Sequence, residues 1–173
     1  MTDYNNQTSD KRPDETETMC TYWDIVEYLN LTKNKDKLTM IRPTRHYESP
    51  TLLYIEVKIY AILDVREADQ SFISYIWIFM EWRNHYLFWN EEDFCGISKV
   101  VVPCESLWMP DIIIEEMTEK DKNLPSPFLK VHNYGVIEYR DDKFVTSTCK
   151  MKIFNFPFDI QSCNITFRSI LYS

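Results

Sequence analysis

Period-two alternation dominates the middle of the chain. Beyond Pro43 and Pro50, Ile55, Val57, Ile59 and Ala61 fall on one side, and Glu56, Lys58 and Tyr60 on the other, which predicts a half-buried strand. Residues 72–82 also alternate, with Ile76, Ile78 and Met80 on one face and Tyr75, Trp77 and Phe79 on the other, so both faces are expected to be buried. A sandwich covers only one face with its opposing sheet, so the second, aromatic face points to a partner subunit, a ligand or a covering loop. Further strands are expected over 99–103, 128–132, 136–139, 144–154 and 164–170, separated by Pro, Asn, Asp and Gly. One departure from this rhythm lies upstream, where Thr21 and Asp24 form a capping pattern and Ile25, Val26 and Leu29 share one helical face. The sum is an all-β sandwich or barrel with a short amphipathic helix before it.

At 173 residues the chain has the size of one domain. Residues 1–19 are polar and acidic, with too few bulky aliphatic side chains to offset the entropy of ordering, and are expected to form a flexible tail ahead of a domain over 20–173. Two glycines leave little material for a phosphate loop, and a net charge of -8 disfavours nucleic acid, so neither a nucleotide cofactor nor a nucleic-acid partner is expected. An acidic surface weakly favours cationic ligands. No apolar run approaches the roughly 20 residues that span a bilayer. Nor does the amino terminus carry a signal-peptide core, and both features fit a partial chain.

Five cysteines and three Asn-x-Thr sequons, at Asn6, Asn30 and Asn164, suggest an oxidising, glycosylating compartment. Three scattered histidines and the absence of a Cys-x-x-Cys pair argue against a zinc site, and no metal is expected. Cys149 and Cys163 enclose thirteen residues, and each shares a strand face with apolar neighbours: Met151 and Ile153 for the first, Ile165 and Phe167 for the second. A bridge between them would remove about 3 kcal/mol of unfolded-state entropy. Within the loop, Phe156-Pro157-Phe158-Asp159 is too apolar simply to face water; it must pack under its own sandwich or dock on another surface.

These residues carry a family resemblance. The thirteen-residue cysteine loop around Phe-Pro-Phe-Asp resembles the signature loop of the pentameric Cys-loop neurotransmitter-gated ion channels. Trp89-Asn90-Glu91-Glu92-Asp93-Phe94 and Trp108-Met109-Pro110-Asp111 resemble two further stretches of that family. Tyr75-Ile76-Trp77, Arg42-Pro43 and Tyr60-Ala61-Ile62-Leu63 are similar to its serotonin type 3 branch. The resemblance implies an immunoglobulin-like β-sandwich of about ten strands with a short N-terminal α-helix. It implies a chain that stops before the last binding loop and before all four membrane helices. It further implies a subunit of a pentamer of identical or homologous chains, at the extracellular face of a synaptic plasma membrane, binding a small-molecule neurotransmitter between subunits. A soluble secreted pentamer and an accessory subunit without a complete site are the alternatives.

Position by position, Trp77 matches a ligand-contacting tryptophan of the complementary face, and Phe79 stands where serotonin receptors have an arginine. Lys130 and Arg140 fall where aromatics are expected and would repel an amine. On the principal face Glu116, next to Glu115, matches a glutamate that contacts ligand, whereas Ile170 replaces a tryptophan and offers no π face. The resemblance assigns Phe156, Pro157, Phe158 and Asp159 to coupling between binding and gate. Cys20 can reach Cys95 if the helix caps that end of the sandwich, which leaves Cys104 free. An enzyme using Glu115 and Glu116 as acid and base is disfavoured, because neighbours on a strand point to opposite faces.

Overall fold

The computed structural model describes residues 20–119, 124–152, 154 and 158–171. Among them, two short helices, α1 (Tyr22–Tyr28) and α2 (Lys35–Met40), precede seven strands: β1 (Leu53–Arg66), β2 (Ser71–Arg83), β3 (Lys99–Pro103), β4 (Ile112–Ile114), β5 (Phe128–His132), β6 (Val136–Thr148) and β7 (Phe167–Ser169). The main sheet has the order β1-β2-β6-β5-β3, and β4 and β7 form a second, two-stranded sheet. All named pairings are antiparallel. Ile112, Ile114 and Phe167 of the small sheet pack on the buried cluster of the large one, which makes the two layers of a sandwich. The expected tail, 1–19, lies outside the described residues.

Helix α1 starts where its capping pattern predicts: Asp24 N–H donates to Thr21 Oγ1 at 3.3 Å, and Thr21 N–H donates back to Asp24 Oδ2 at 2.6 Å. Ile25 then buries completely against the core formed by Trp82, Trp89, Val131 and Ile137. The helix is also tied down covalently, by a Cys20–Cys95 disulfide with Cα atoms 5.8 Å apart. Helix α2 was not foreseen from the pattern; its end supports the next segment, since Trp108 N–H donates to the Leu38 carbonyl at 2.7 Å.

Strand β2 shows what alternation does and does not predict. Phe72, Ser74, Ile76, Ile78, Met80 and Trp82 are buried, while Tyr75, Trp77 and Phe79 are only half-buried, so the expectation of two buried faces is corrected: the second face is covered in part, by neighbouring strands. In β1 the predicted side is kept only as far as Val57. Ile59 keeps its register opposite Ile76 yet is 57% exposed, and beyond it ladder irregularities between Ile59 and Ala61 and between Ile62 and Asp64 insert extra residues that break the alternation.

Two expected strands, 136–139 and 144–154, are one continuous β6 ending at Thr148. The polar run Arg140-Asp141-Asp142-Lys143, which reads as punctuation, instead continues the ladder opposite Phe79 to Ile76. Asp141 points inward, where Lys143 Nζ lies 3.1 Å from its carboxylate and Ser126 N–H donates to Oδ1 at 3.1 Å; these contacts offset the cost of burying its charge. The expected strand over 164–170 is shorter, Phe167–Ser169.

The β5–β6 turn needs a glycine. Gly135 has φ +85°, and a Cβ there would lie 2.4 Å from the Asn84 carbonyl oxygen and 2.6 Å from that of Leu87. This close approach lets Asn84 N–H donate to the Gly135 carbonyl at 2.8 Å and Trp89 N–H to Asn133 at 3.1 Å, locking the hairpin onto the 84–89 segment.

The bridge between Cys20 and Cys95 closes a sequence separation of 75 residues. Replacing both cysteines by serine is expected to lower the unfolding free energy by about 2–4 kcal/mol. Urea denaturation of the oxidised protein measures this; an unchanged midpoint would show that the bridge contributes nothing.

Candidate functional site

Outward-facing residues of the main sheet form an aromatic and charged ladder. Trp77 and Phe79, two positions apart on β2, stack with ring centroids 6.4 Å apart and planes inclined by 17°. Tyr54 from β1 meets the Phe79 ring edge-on at 6.3 Å, and Phe144 from β6 lies 4.7 Å from Tyr75. Two cations cover the stacked pair: Lys58 Nζ sits 5.0 Å from the Trp77 ring, and the Arg140 guanidinium 5.5 Å from that of Phe79. Tyr75 donates a short hydrogen bond to Asp142, which raises the phenol's pKa. Beside Trp77 opens a cleft of about 910 Å³, lined also by Cys104, Pro127, Phe128, Arg140 and Asp142. Cys104 is half-buried and unbridged and donates to the Ser126 carbonyl at 3.2 Å, and burial, with the nearby Asp141 charge, pushes its pKa up.

At one end of this ladder a single carboxylate gathers two cationic side chains and a histidine. Glu138 accepts from Lys130 Nζ at 3.1 Å, lies 2.7 Å from His132 Nε2, and pairs with Arg140 at 3.3 Å. Burial pulls its pKa up, but the contacts to His132 and Lys130 outweigh that and hold the carboxyl below its ordinary range.

The small sheet carries a second set of residues, organised by two other acids. Asp111 accepts from Ser169 Oγ at 2.9 Å, from Ile170 N–H at 2.8 Å and from Leu171 N–H at 2.6 Å, so it shapes the chain directly after β7. Desolvation opposes ionisation of Asp111, yet the amides of Leu171 and Ile170 and the Ser169 hydroxyl leave its pKa lowered. Glu116 accepts from Thr166 twice, from N–H at 2.7 Å and from Oγ1 at 2.6 Å, and these bonds lower its pKa. Backbone bonds from Thr148 N–H to the Glu116 carbonyl and from Thr118 N–H to the Thr146 carbonyl, each 2.9 Å, tie this loop to β6. Glu115 turns to a different partner, Arg168, at 2.8 Å. The adjacent carboxylates therefore do not converge on one point.

The sequence model described as "Neurotransmitter-gated ion-channel ligand binding domain" matches residues 28–173. The chain belongs to this family. It is 40% identical over 134 residues to the rat (Rattus norvegicus) 5-hydroxytryptamine receptor 3A, covering 77% of this chain and 28% of that protein. To the human 5-hydroxytryptamine receptor 3E it is 39% identical over 132 residues, covering 76% and 29% respectively. To the human neuronal acetylcholine receptor subunit beta-3 it is 34% identical over 134 residues, again covering 76% and 29%. The chain thus spans less than a third of the length of these relatives. Among the described residues, no helix is long and apolar enough to cross a membrane.

Within this ligand-binding domain the seven residues expected at a ligand fall into two groups. Trp77, Phe79, Arg140 and, through Glu138, Lys130 lie on the main sheet; Glu115, Glu116 and the exposed Ile170 lie on or beside the small one. Sequence reasoning missed Glu138, which offsets the expected repulsion from Lys130 and Arg140, and it missed Lys58. The signal was present in the like spacing of Glu56/Lys58 and Glu138/Arg140, but it acquires meaning only through strand register.

In the cysteine loop, Cys149 and Cys163 are bridged with Cα atoms 5.2 Å apart, and Cys149 and Met151 bury against Phe72. Phe156 and Pro157 lie outside the described residues. Asp159 accepts a short hydrogen bond from Gln161, and Phe158 is 89% exposed, with Phe154 and Ile160 exposed still more. The chain's own sandwich leaves these three side chains uncovered. Asn30 and Asn164 are exposed, and Asn6 lies outside the described residues.

Because the pKa of Glu116 is lowered in the folded chain, its bonds to Thr166 stabilise the fold above the ordinary glutamate pKa and are lost as pH falls through the folded value. Glu116→Gln is therefore expected to flatten the decline in thermal stability below about pH 4.5. Melting temperatures of the two proteins measured between neutral pH and pH 3 check this; parallel curves would refute it.

Proposed function

We propose that this chain is the extracellular ligand-binding part of a subunit of a serotonin type 3-like cation channel, in which a small neurotransmitter binds between neighbouring subunits. The observation that carries this reading is the division of the candidate ligand residues between two sheets of one chain. Stacked Trp77 and Phe79 on the main sheet would serve as the complementary face for one neighbour. Glu115, Glu116 and the turn at Ile170 on the small sheet would serve as the principal face for the other. Aromatic rings attract an ammonium group by roughly 0.5 to 2 kcal/mol each, and a carboxylate such as Glu116 can accept its hydrogen bonds.

The exposed Phe154, Phe158 and Ile160 favour a channel over a soluble binding protein, since an apolar tip held by a disulfide at its base requires an apolar surface to cover it. In this reading Phe156, Pro157, Phe158 and Asp159 couple ligand binding to the gate by shifting the population between two packings of the subunits. The domain is residues 20–173 following a tail over 1–19, with glycans on Asn6, Asn30 and Asn164, and its role is that of a receptor and not an enzyme. Ile170 and the covered rings of Trp77 and Phe79 favour an accessory subunit, one that contributes to a site without completing a serotonin site of its own.

The test is to express the full-length subunit alone and with a 5-hydroxytryptamine receptor 3A subunit, recording current against serotonin. Expected are silence alone and an altered serotonin concentration dependence in the mixture, with Trp77→Ala reducing apparent affinity by about tenfold or more in mixed receptors. Mixed receptors indistinguishable from the partner homomer, despite surface expression of this chain, would refute the reading.

A further inference from the structure

The ring faces at the candidate complementary surface already carry cations, and strand register places them there. Lys58 on β1 is the cross-strand partner of Trp77, and Arg140 on β6 is the cross-strand partner of Phe79. Each cation reaches the ring of its own partner, at 5.0 Å and 5.5 Å. Each is also held from behind by a carboxylate two residues earlier on its own strand, Glu56 at 2.9 Å from Lys58 and Glu138 at 3.3 Å from Arg140. The two flanking strands thus repeat one device, Glu-x-Lys on β1 and Glu-x-Arg on β6, on either side of the stacked pair. Side chains two apart on a strand share a face, so the repeat keeps carboxylate, cation and ring together on the outward side.

We infer that Lys58 and Arg140 are specificity determinants that occupy the Trp77 and Phe79 ring faces, so that a free amine reaches this chain's complementary surface only in competition with them. A ligand ammonium approaching either ring meets a like charge already seated at the distance it would take, and it must displace that side chain from both ring and carboxylate. Occupancy is local: the competing cation is tethered, so its effective concentration far exceeds that of a free ligand. An aromatic surface that sequence alone marks as amine-binding is thereby satisfied within the chain.

The inference rests on the reading that this face meets ligand, and its test separates the two. Full-length chain carrying Lys58→Gln, Arg140→Gln or both is co-expressed with the 5-hydroxytryptamine receptor 3A subunit, with surface expression measured by antibody labelling. Serotonin and tetramethylammonium are the probes. Each single variant is expected to raise apparent amine affinity by about two- to thirtyfold, the span of one cation–ring contact, and the double variant by more. Lys58→Arg, which keeps a cation over the ring, is expected to behave as the unmodified chain. Lys99→Gln on β3, which removes an equal charge that covers neither ring, is expected to leave affinity unchanged.

Unchanged affinity in both glutamine variants would overturn the inference, as would an equal gain from Lys99→Gln, which would mark a net-charge effect. If Trp77→Ala weakens the amine response while Lys58→Gln and Arg140→Gln change nothing, occupancy falls and the ligand face stands. If Trp77→Ala also changes nothing, both fall.

Discussion

The position of β2 between β1 and β6, with its two faces kept apart by strict alternation, is the constraint on which the rest of the structure depends. One face delivers Ile76, Ile78, Met80 and Trp82 to the core shared with α1 and the small sheet. The other delivers Tyr75, Trp77 and Phe79 to the outside. A slip of one residue in either ladder would exchange these sets, burying the rings and exposing the aliphatics, so core packing and surface chemistry are set by the same register. The irregularities in β1 lie beyond Ile59, past the stretch that faces Trp77 and Phe79, and so leave that register intact.

Acidic side chains organise the candidate surfaces, and they do so as acceptors already in use. Asp111 gathers amides after β7, Glu116 closes on Thr166, and Glu138 pairs with Lys130, Arg140 and His132. Hydrogen bonds to an ionised carboxylate are among the stronger ones available to a protein, and each of these three groups has its pKa lowered accordingly. The net negative charge of the chain is therefore a poor guide to its affinity for cations, since key carboxylates are committed internally. In the proposed reading the two groups of candidate residues supply the two faces of a site between subunits, and the committed carboxylates and covered rings set this chain apart from a generic amine site.

The sequence by itself determined the architecture's class, the start of α1 through its Thr21–Asp24 box, the core face of β2, the Cys149–Cys163 bridge and the family. Each of these rests on local pattern: capping, alternation of period two, or a motif contiguous in the chain. Tertiary structure alone decided the rest. It joined 136–139 and 144–148 into one strand, because Asp141 found Lys143 and Ser126 as partners inside. It met the condition under which the sequence lets Cys20 reach Cys95, by packing Tyr28 of α1 against Phe94, and it set Lys58 and Arg140 over the rings of Trp77 and Phe79. The physical reason is the same throughout. Whether a charged or polar side chain is an interruption, a core member or a cover for an aromatic ring depends on which residue the neighbouring strand sets beside it, and register is a property of the folded sheet that no local window contains.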